Sequence, residues 1–207
     1  MKPLGKPIKW SSEIAYAVGL ITTDGSLSID GYHLDFTSTD TQLIKTFKKC
    51  LGINNKITKK LSGVGNLSFR VQFGNIILYK WLLKIGLMPH KTGRLKALKI
   101  PNQYFFDFLR GHLDGDAYIR RHMDPIYPNS ERLYIYFNSA SLKHLQWLRQ
   151  KIKFLIKIRG FIEKAGRGRE FSLGFAKKNS LILLLYLYPT KNVPCLKRKY
   201  KIIKDFL

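Results

Sequence analysis

The 207-residue sequence predicts an α+β fold made from one unit used twice. Three observations predict it. Helical apolar stripes and period-two alternation follow one another in the order α-β-β-α-β-β-α. The same order then runs a second time. Finally, two nine-residue stretches, Ala17–Gly25 and Leu109–Ala117, are near copies set 92 residues apart. A unit of about 95 residues with one half-buried antiparallel sheet is only marginally stable alone, so the two units are expected to share a core. The expected architecture is a pseudo-twofold saddle of antiparallel sheets joined through two motif helices, with repeats at 1–94 and 95–207.

The first helix is expected from Ser11 or Ser12, either of which can cap it, to about Thr23. Ile14, Ala17, Val18 and Ile21 form its apolar stripe. A hairpin follows, with Leu27 and Ile29 on one strand, a turn at Gly31, and Leu34 and Phe36 on the other. Asp40 is expected to cap a helix carrying Leu43, Ile44, Phe47 and Leu51, which Gly52 ends. The second hairpin pairs about 56–61 with 67–73, turning through Ser62–Asn66. Its return strand points Leu67, Phe69, Val71 and Phe73 inward. A third helix, 76–85, stops at Gly86.

The second pass begins with a helix capped by Asn102. A strand from Tyr118 follows, then a loop with Pro125 and Pro128, then a strand over 132–138 with Leu133, Ile135 and Phe137 inward. Ser141 takes the capping place of Asp40. Strands near 158–164 and 170–175 flank the turn Ala165–Arg169, and 181–187 is the third helix. Leu187-Tyr188-Pro189-Thr190-Lys191 matches Leu87-Met88-Pro89-His90-Lys91 at an offset of 100.

Each nine-residue stretch reads as the end of a helix that closes on a small residue and an aspartate. Gly19 and Thr23, like Gly111 and Gly115, lie four apart on one helix face, where missing side chains let a second helix approach. Packing these helices together places Asp24 beside Asp116. Two adjacent carboxylates repel unless a cation sits between them, which suggests a divalent metal.

Lys and Arg total 37 against 13 Asp and Glu, a formal charge of +24. The excess is +9 over residues 1–94 and +15 over 95–207, so the whole body is basic rather than a tail. A nucleic acid is the expected partner. On charge alone, a structural RNA-binding protein of the ribosomal kind fits as well, although it leaves the two Asp-ended helices unexplained. Cys50 and Cys195 form no framework and no zinc spacing. The first residues carry no signal-peptide pattern, and the longest apolar run, 181–188, is too short to span a bilayer. An intracellular compartment is expected, whether a prokaryotic cytoplasm and nucleoid or an organelle.

The paired stretches resemble the motifs of the LAGLIDADG homing endonucleases, in the single-chain form with two motifs, and the resemblance spans essentially the whole chain. It implies a site-specific, metal-dependent endodeoxyribonuclease for intron homing, acting as a monomer on a long duplex target and leaving short 3′ overhangs. Mg2+ is the implied cofactor; Mn2+ or Ca2+ can occupy the site, Ca2+ without supporting cleavage. The implied metal ligands are Asp24 and Asp116, with the backbone carbonyls of Thr23 and Gly115. Similar endonucleases, especially those within inteins, place catalytic lysines where Lys91 and Lys191 stand. The sequence departs from the family pattern at the strand ends near the acids, where Gln or Lys is usual and Ser38 or Thr39 and Asn138 or Ser139 stand. It departs again at Arg110 and His112. His112 is not read as a base, and Asp114, opposite Thr22, is read as structural.

The concave sheet faces are implied to grip DNA. Arg70, Gln72, Arg120, Arg132, Tyr134, Tyr136 and Asn138 alternate outward and are candidates for base edges. Lys59, Lys60, Arg167 and Arg169 are candidates for phosphates. The alternative function is an intron RNA maturase or a non-cleaving DNA-binding regulator on the same scaffold.

Overall fold

The computed structural model describes residues 7–61, 65–165, 168 and 170–207. The first unit runs α1 (Ser12–Thr23), β1 (Gly25–Leu27), β2 (His33–Ser38), α2 (Thr41–Leu51), β3 (Ile57–Leu61), β4 (Leu67–Gly74) and α3 (Ile76–Ile85). The second runs α4 (Phe105–Asp116), β5 (Tyr118–Met123), β6 (Glu131–Ser139), α5 (Leu142–Ile156), β7 (Phe161–Ala165), β8 (Glu170–Phe175) and α6 (Lys177–Leu187), and a further helix follows, α7 (Lys197–Ile203). Among the described residues the strands form two four-stranded antiparallel sheets, ordered β1-β2-β4-β3 and β5-β6-β8-β7. The order is the same in both, as duplication requires. No described helix is long and apolar enough to cross a membrane.

Helices α2 and α3 pack on the first sheet, α5 and α6 on the second, and α1 packs against α4 between them. The α1–α4 contact is close because it is made through glycine. A Cβ on Gly19 would lie 2.1 Å from the Phe108 carbonyl oxygen, and one on Gly111 2.0 Å from that of Tyr16. The core is continuous across this contact, from Leu20, Phe36 and Phe47 to Phe105, Phe137 and Phe175. The segment 86–104 joins the units and is itself anchored. Leu95, Leu98 and Ile100 are buried, Ser141 Oγ donates to the Leu95 carbonyl, and His144 Nδ1 lies 2.9 Å from that of Lys96.

Several local expectations are corrected. Ser11, Asn75 and Ser141 cap α1, α3 and α5 with their side chains. Asp40, at the N-cap of α2, makes no such bond and instead pairs with Arg198 at 2.9 Å. Asn102 opens a short 3-10 turn ahead of α4 rather than capping it. Strand β1 ends at Leu27, so Ile29 stands 80% exposed in the turn. Leu67, the first residue of β4, is exposed as well. Helix α6 begins one turn before the expected start at 181, and β7 begins at Phe161 rather than near 158.

Candidate functional site

Asp24 caps the C-terminus of α1, its N–H donating to the Leu20 carbonyl at 3.0 Å, and Asp116 is the last residue of α4. The glycine contact that seats one helix on the other brings these ends together. A Cβ on Gly115 would fall 2.0 Å from Thr23 Oγ1 and 3.0 Å from Asp24 Oδ2. Burial pushes the Asp24 carboxyl up to about 7, with repulsion from Asp116 as the next cause. Asp116 is raised as well, by desolvation and then by Glu170. The junction therefore sets two carboxylates close to one another, Asp24 half-buried and Asp116 exposed.

Two clefts flank it. One is lined by Asp116, Thr23, Lys91, Asn138, Ser139 and Glu170. The other is lined by Asp24, Gly115, Ser38, Thr39, Ser68 and Arg198. Strand register makes Ser38, paired with Phe69, the equivalent of Ser139, paired with Phe171. Glu170 then occupies the place of Ser68. The two clefts are thus chemically unequal, with Glu170 beside Asp116 in one, and Asp40, Asp114 and Arg198 lining the other with Asp24. Asn138 is held in the first cleft by donating to the Asp116 carbonyl at 3.0 Å and accepting from Ser172 at 2.7 Å.

The lysines settle differently from the sequence match. Lys91 Nζ donates to the carbonyls of Thr23 (3.1 Å) and Gly25 (2.5 Å). Lys191 does not approach the acids; it is exposed in a separate groove with Glu13, Gln42 and Cys195. The counterpart of Lys91 is Lys199, on α7. Its Nζ donates to the carbonyls of Gly115 (3.1 Å) and Ala117 (2.6 Å), and also to those of Leu113 and Asp114. Sequence reasoning passed over it because its offset from Lys91 is 108, not 100, and because α7 has no equivalent in the first unit. Its only signal was the stripe Leu196, Lys199, Tyr200 and Ile203, which places one lysine on the buried face of a short helix. Burial lowers the pKa of both lysines, that of Lys199 to about 8. Thr23 and Gly115, read as metal-facing carbonyls, each accept from a lysine.

The other motif residues are structural. Asp114 Oδ2 accepts from Tyr16 Oη (2.6 Å) and from the Leu196 N–H (2.7 Å), tying α1 and α4 to the start of α7. Arg110 is fully buried and bonds the Leu187 and Pro194 carbonyls and Asp107. His112 lies under the second sheet, stacked on His144.

On the sheets, Gln72 and Arg120 are exposed, while Arg70 pairs with Asp35 at 3.5 Å and Arg132 with Asp124. Lys60 lies opposite Ser68 and shares its face with Arg70 and Gln72, whereas Lys59, opposite Phe69, points to the helix side. Tyr134 and Tyr136 lie on the open face of the second sheet, Tyr136 only 8% exposed. Arg167 and Arg169 lie outside the described residues.

No protein-family profile matches the chain. It is 26% identical over 124 residues to an A-type ATP synthase subunit from Methanopyrus kandleri, a match to 56% of this chain that spans only 12% of that protein. Among solved structures, the homing endonuclease I-WcaI bound to its DNA recognition sequence superposes with a TM-score of 0.64 at 12% identity, over 97% of this chain and 94% of that one. The I-SmaMI LAGLIDADG homing endonuclease bound to cleaved DNA gives 0.58 at 16%, over 98% and 89%. Full-length DUF199/WhiA from Thermatoga maritima gives 0.57 at 15%, and this chain spans 96% of itself but 62% of that protein. The chain has the LAGLIDADG homing endonuclease fold, in the single-chain form with two repeats.

Proposed function

We propose that this chain is a site-specific DNA endonuclease that binds a long duplex target as a monomer and hydrolyses one phosphodiester in each strand, leaving short 3′ overhangs. One observation carries the reading: an acid from each repeat, Asp24 and Asp116, stands where the two packed motif helices end. One acid per repeat suits a duplex, because each half serves one strand. The fold of I-WcaI and I-SmaMI, both solved on DNA, supports the same reading.

The donor set fits Mg2+. Asp24 and Asp116 offer hard oxygens, and the Asp24 carboxyl is raised by burial first and by its neighbour Asp116 second, a repulsion that a cation would relieve. Among the described residues no group of three His, Cys, Asp or Glu could hold an ion by itself. Mg2+ is commonly held by one or two carboxylates together with substrate phosphates, and the junction offers one carboxylate from each repeat. When bound, the ion supplies an activated water and charge neutralisation at the phosphate. The chain's own residues do the rest. Asp24 and Asp116 hold the ion. Lys91 and Lys199 bring ammonium groups beside each acid, where they offset the charge of the attacked phosphate. The open sheet faces orient the duplex so that each scissile bond lies over its own cleft.

The test is cleavage of a randomised duplex library in Mg2+, beside Asp24→Asn and Asp116→Asn. Cutting at one defined long site, with double-strand cleavage lost in each variant, is the expected result. Binding of a selected site without cutting in Mg2+ or Mn2+ overturns it. A second reading, duplex binding without cleavage, is favoured by the lysines themselves, which occupy the Thr23 and Gly115 carbonyls.

A further inference from the structure

The open faces of the two sheets differ in chemistry. The first presents Asp35, Thr37, Lys60, Arg70 and Gln72, polar throughout. The second is aromatic. Its register sets Tyr118 opposite Tyr136, Arg120 opposite Tyr134, and His122 opposite Arg132. The rings of Tyr118 and Tyr136 stack at 4.6 Å with 13° between planes. Tyr134 stacks on Tyr136 at 5.9 Å, and His122 on Tyr134 at 6.1 Å. Phe161 meets Tyr136 edge-on at 6.0 Å. Gly174 makes the room, since a Cβ there would lie 2.4 Å from Phe161 Cζ and 2.8 Å from Tyr136 Cε1.

Tyr118 and Tyr136 each spend one ring face on the other, and the wider spacings to Tyr134 and His122 continue the row as offset rings. A ligand meets a row of ring edges and hydroxyls, with Tyr118 45% and Phe161 39% exposed. An unpaired base needs a free ring face to stack upon, and the closest pair, Tyr118 and Tyr136, already cover one face of each other. A duplex major groove offers edges, and its one apolar group is the thymine 5-methyl. Of the two arginines on this face, Arg132 is paired with Asp124, while Arg120, opposite Tyr134, stays exposed beside the rings.

We propose that this ladder reads thymine methyl groups in the half of the duplex that the second repeat covers, while the first sheet reads its half by hydrogen bonds through Gln72 and its neighbours. The inference rests on the duplex-DNA reading above and assigns specificity within it. It does not depend on cleavage.

The experiment is binding of the full chain, without divalent metal, to duplexes selected from a random library, with each thymine then replaced by deoxyuridine. Burial of one methyl corresponds to about fourfold in affinity. That loss is expected at positions in one half of the site, and it should disappear in Tyr118→Ala and Tyr134→Ala. Tyr118→Phe, which keeps the ring, should retain it. Deoxyuridine effects that are absent, or equal in both halves, overturn the proposal, as does methyl sensitivity that survives both alanine variants. Duplex binding and cutting with silent deoxyuridine sinks this inference alone; failure to bind any duplex, or preference for unpaired RNA, sinks the duplex reading with it.

Discussion

Lys91 and Lys199 are equivalents about the pseudo-twofold axis: each ammonium group donates to the carbonyl just before and the carbonyl just after its own motif aspartate. These are carbonyls at helix C-termini, where a cation satisfies orphan acceptors and opposes the dipole. It also sits beside a carboxylate that burial makes costly to ionise. One group thus serves helix and acid together.

Lys199→Met should therefore do two things. Left without their donor, the buried carbonyls at the end of α4 should cost at least about 2 kcal/mol, read by denaturant unfolding. Cutting of the strand served by Asp116 should fall with it, read as nicked plasmid accumulating ahead of linear product. Lys191→Met should leave both unchanged, and an equal loss in that variant would sink the equivalence.

Gly111→Ala should be among the most damaging single changes in the chain. The added carbon meets backbone at 2.0 Å, not a side chain that can turn away. Separating α1 from α4 should cost about 3 kcal/mol or more. A melt unaltered from the parent would show that the helices can part freely.

Metal affinity in the DNA complex should rise with pH and level off above about 7. Below that value the Asp24 carboxyl is largely protonated, and a cation must displace the proton. Mn2+ titrations at several pH values would read this, and Asp24→Asn should abolish the rise. A flat profile in the parent contradicts the assignment of Asp24.

A second pH effect comes from the buried histidine pair. Desolvation depresses His144 to about 4, and His112 falls well below its usual value because of burial and its neighbour. Folded pKa values below the unfolded one mean that the unfolded chain binds more protons. Stability is then full above about 6.5 and is lost as pH falls toward 4, by up to about 1.4 kcal/mol per pH unit for each histidine. His144→Gln should flatten that slope in urea midpoints taken from pH 7 to 4.5.

The repeat, the strand faces and the acids were legible because each is written in local periodicity or in near-identity of two segments. Leu133, Ile135 and Phe137 face the core as their alternation requires. Asp114 proved structural, as its unlike counterpart Thr22 suggested. Misreadings arose where a residue's partner is distant in sequence. Asp40 gave up its capping role to an arginine on α7, and Lys191 yielded its expected place to Lys199, also on α7.

By itself the sequence determined a duplicated α+β unit, the two helices that join its copies, the aspartates at their ends and a basic body suited to nucleic acid. Only the tertiary structure decided which lysines serve those aspartates, that one cleft carries Glu170 where the other has serine, and that one sheet face is aromatic while the other is polar. Periodicity fixes which face of an element a residue occupies, since it follows from backbone geometry alone. It does not fix which residue meets it from an element 80 positions away, because that depends on how the elements pack.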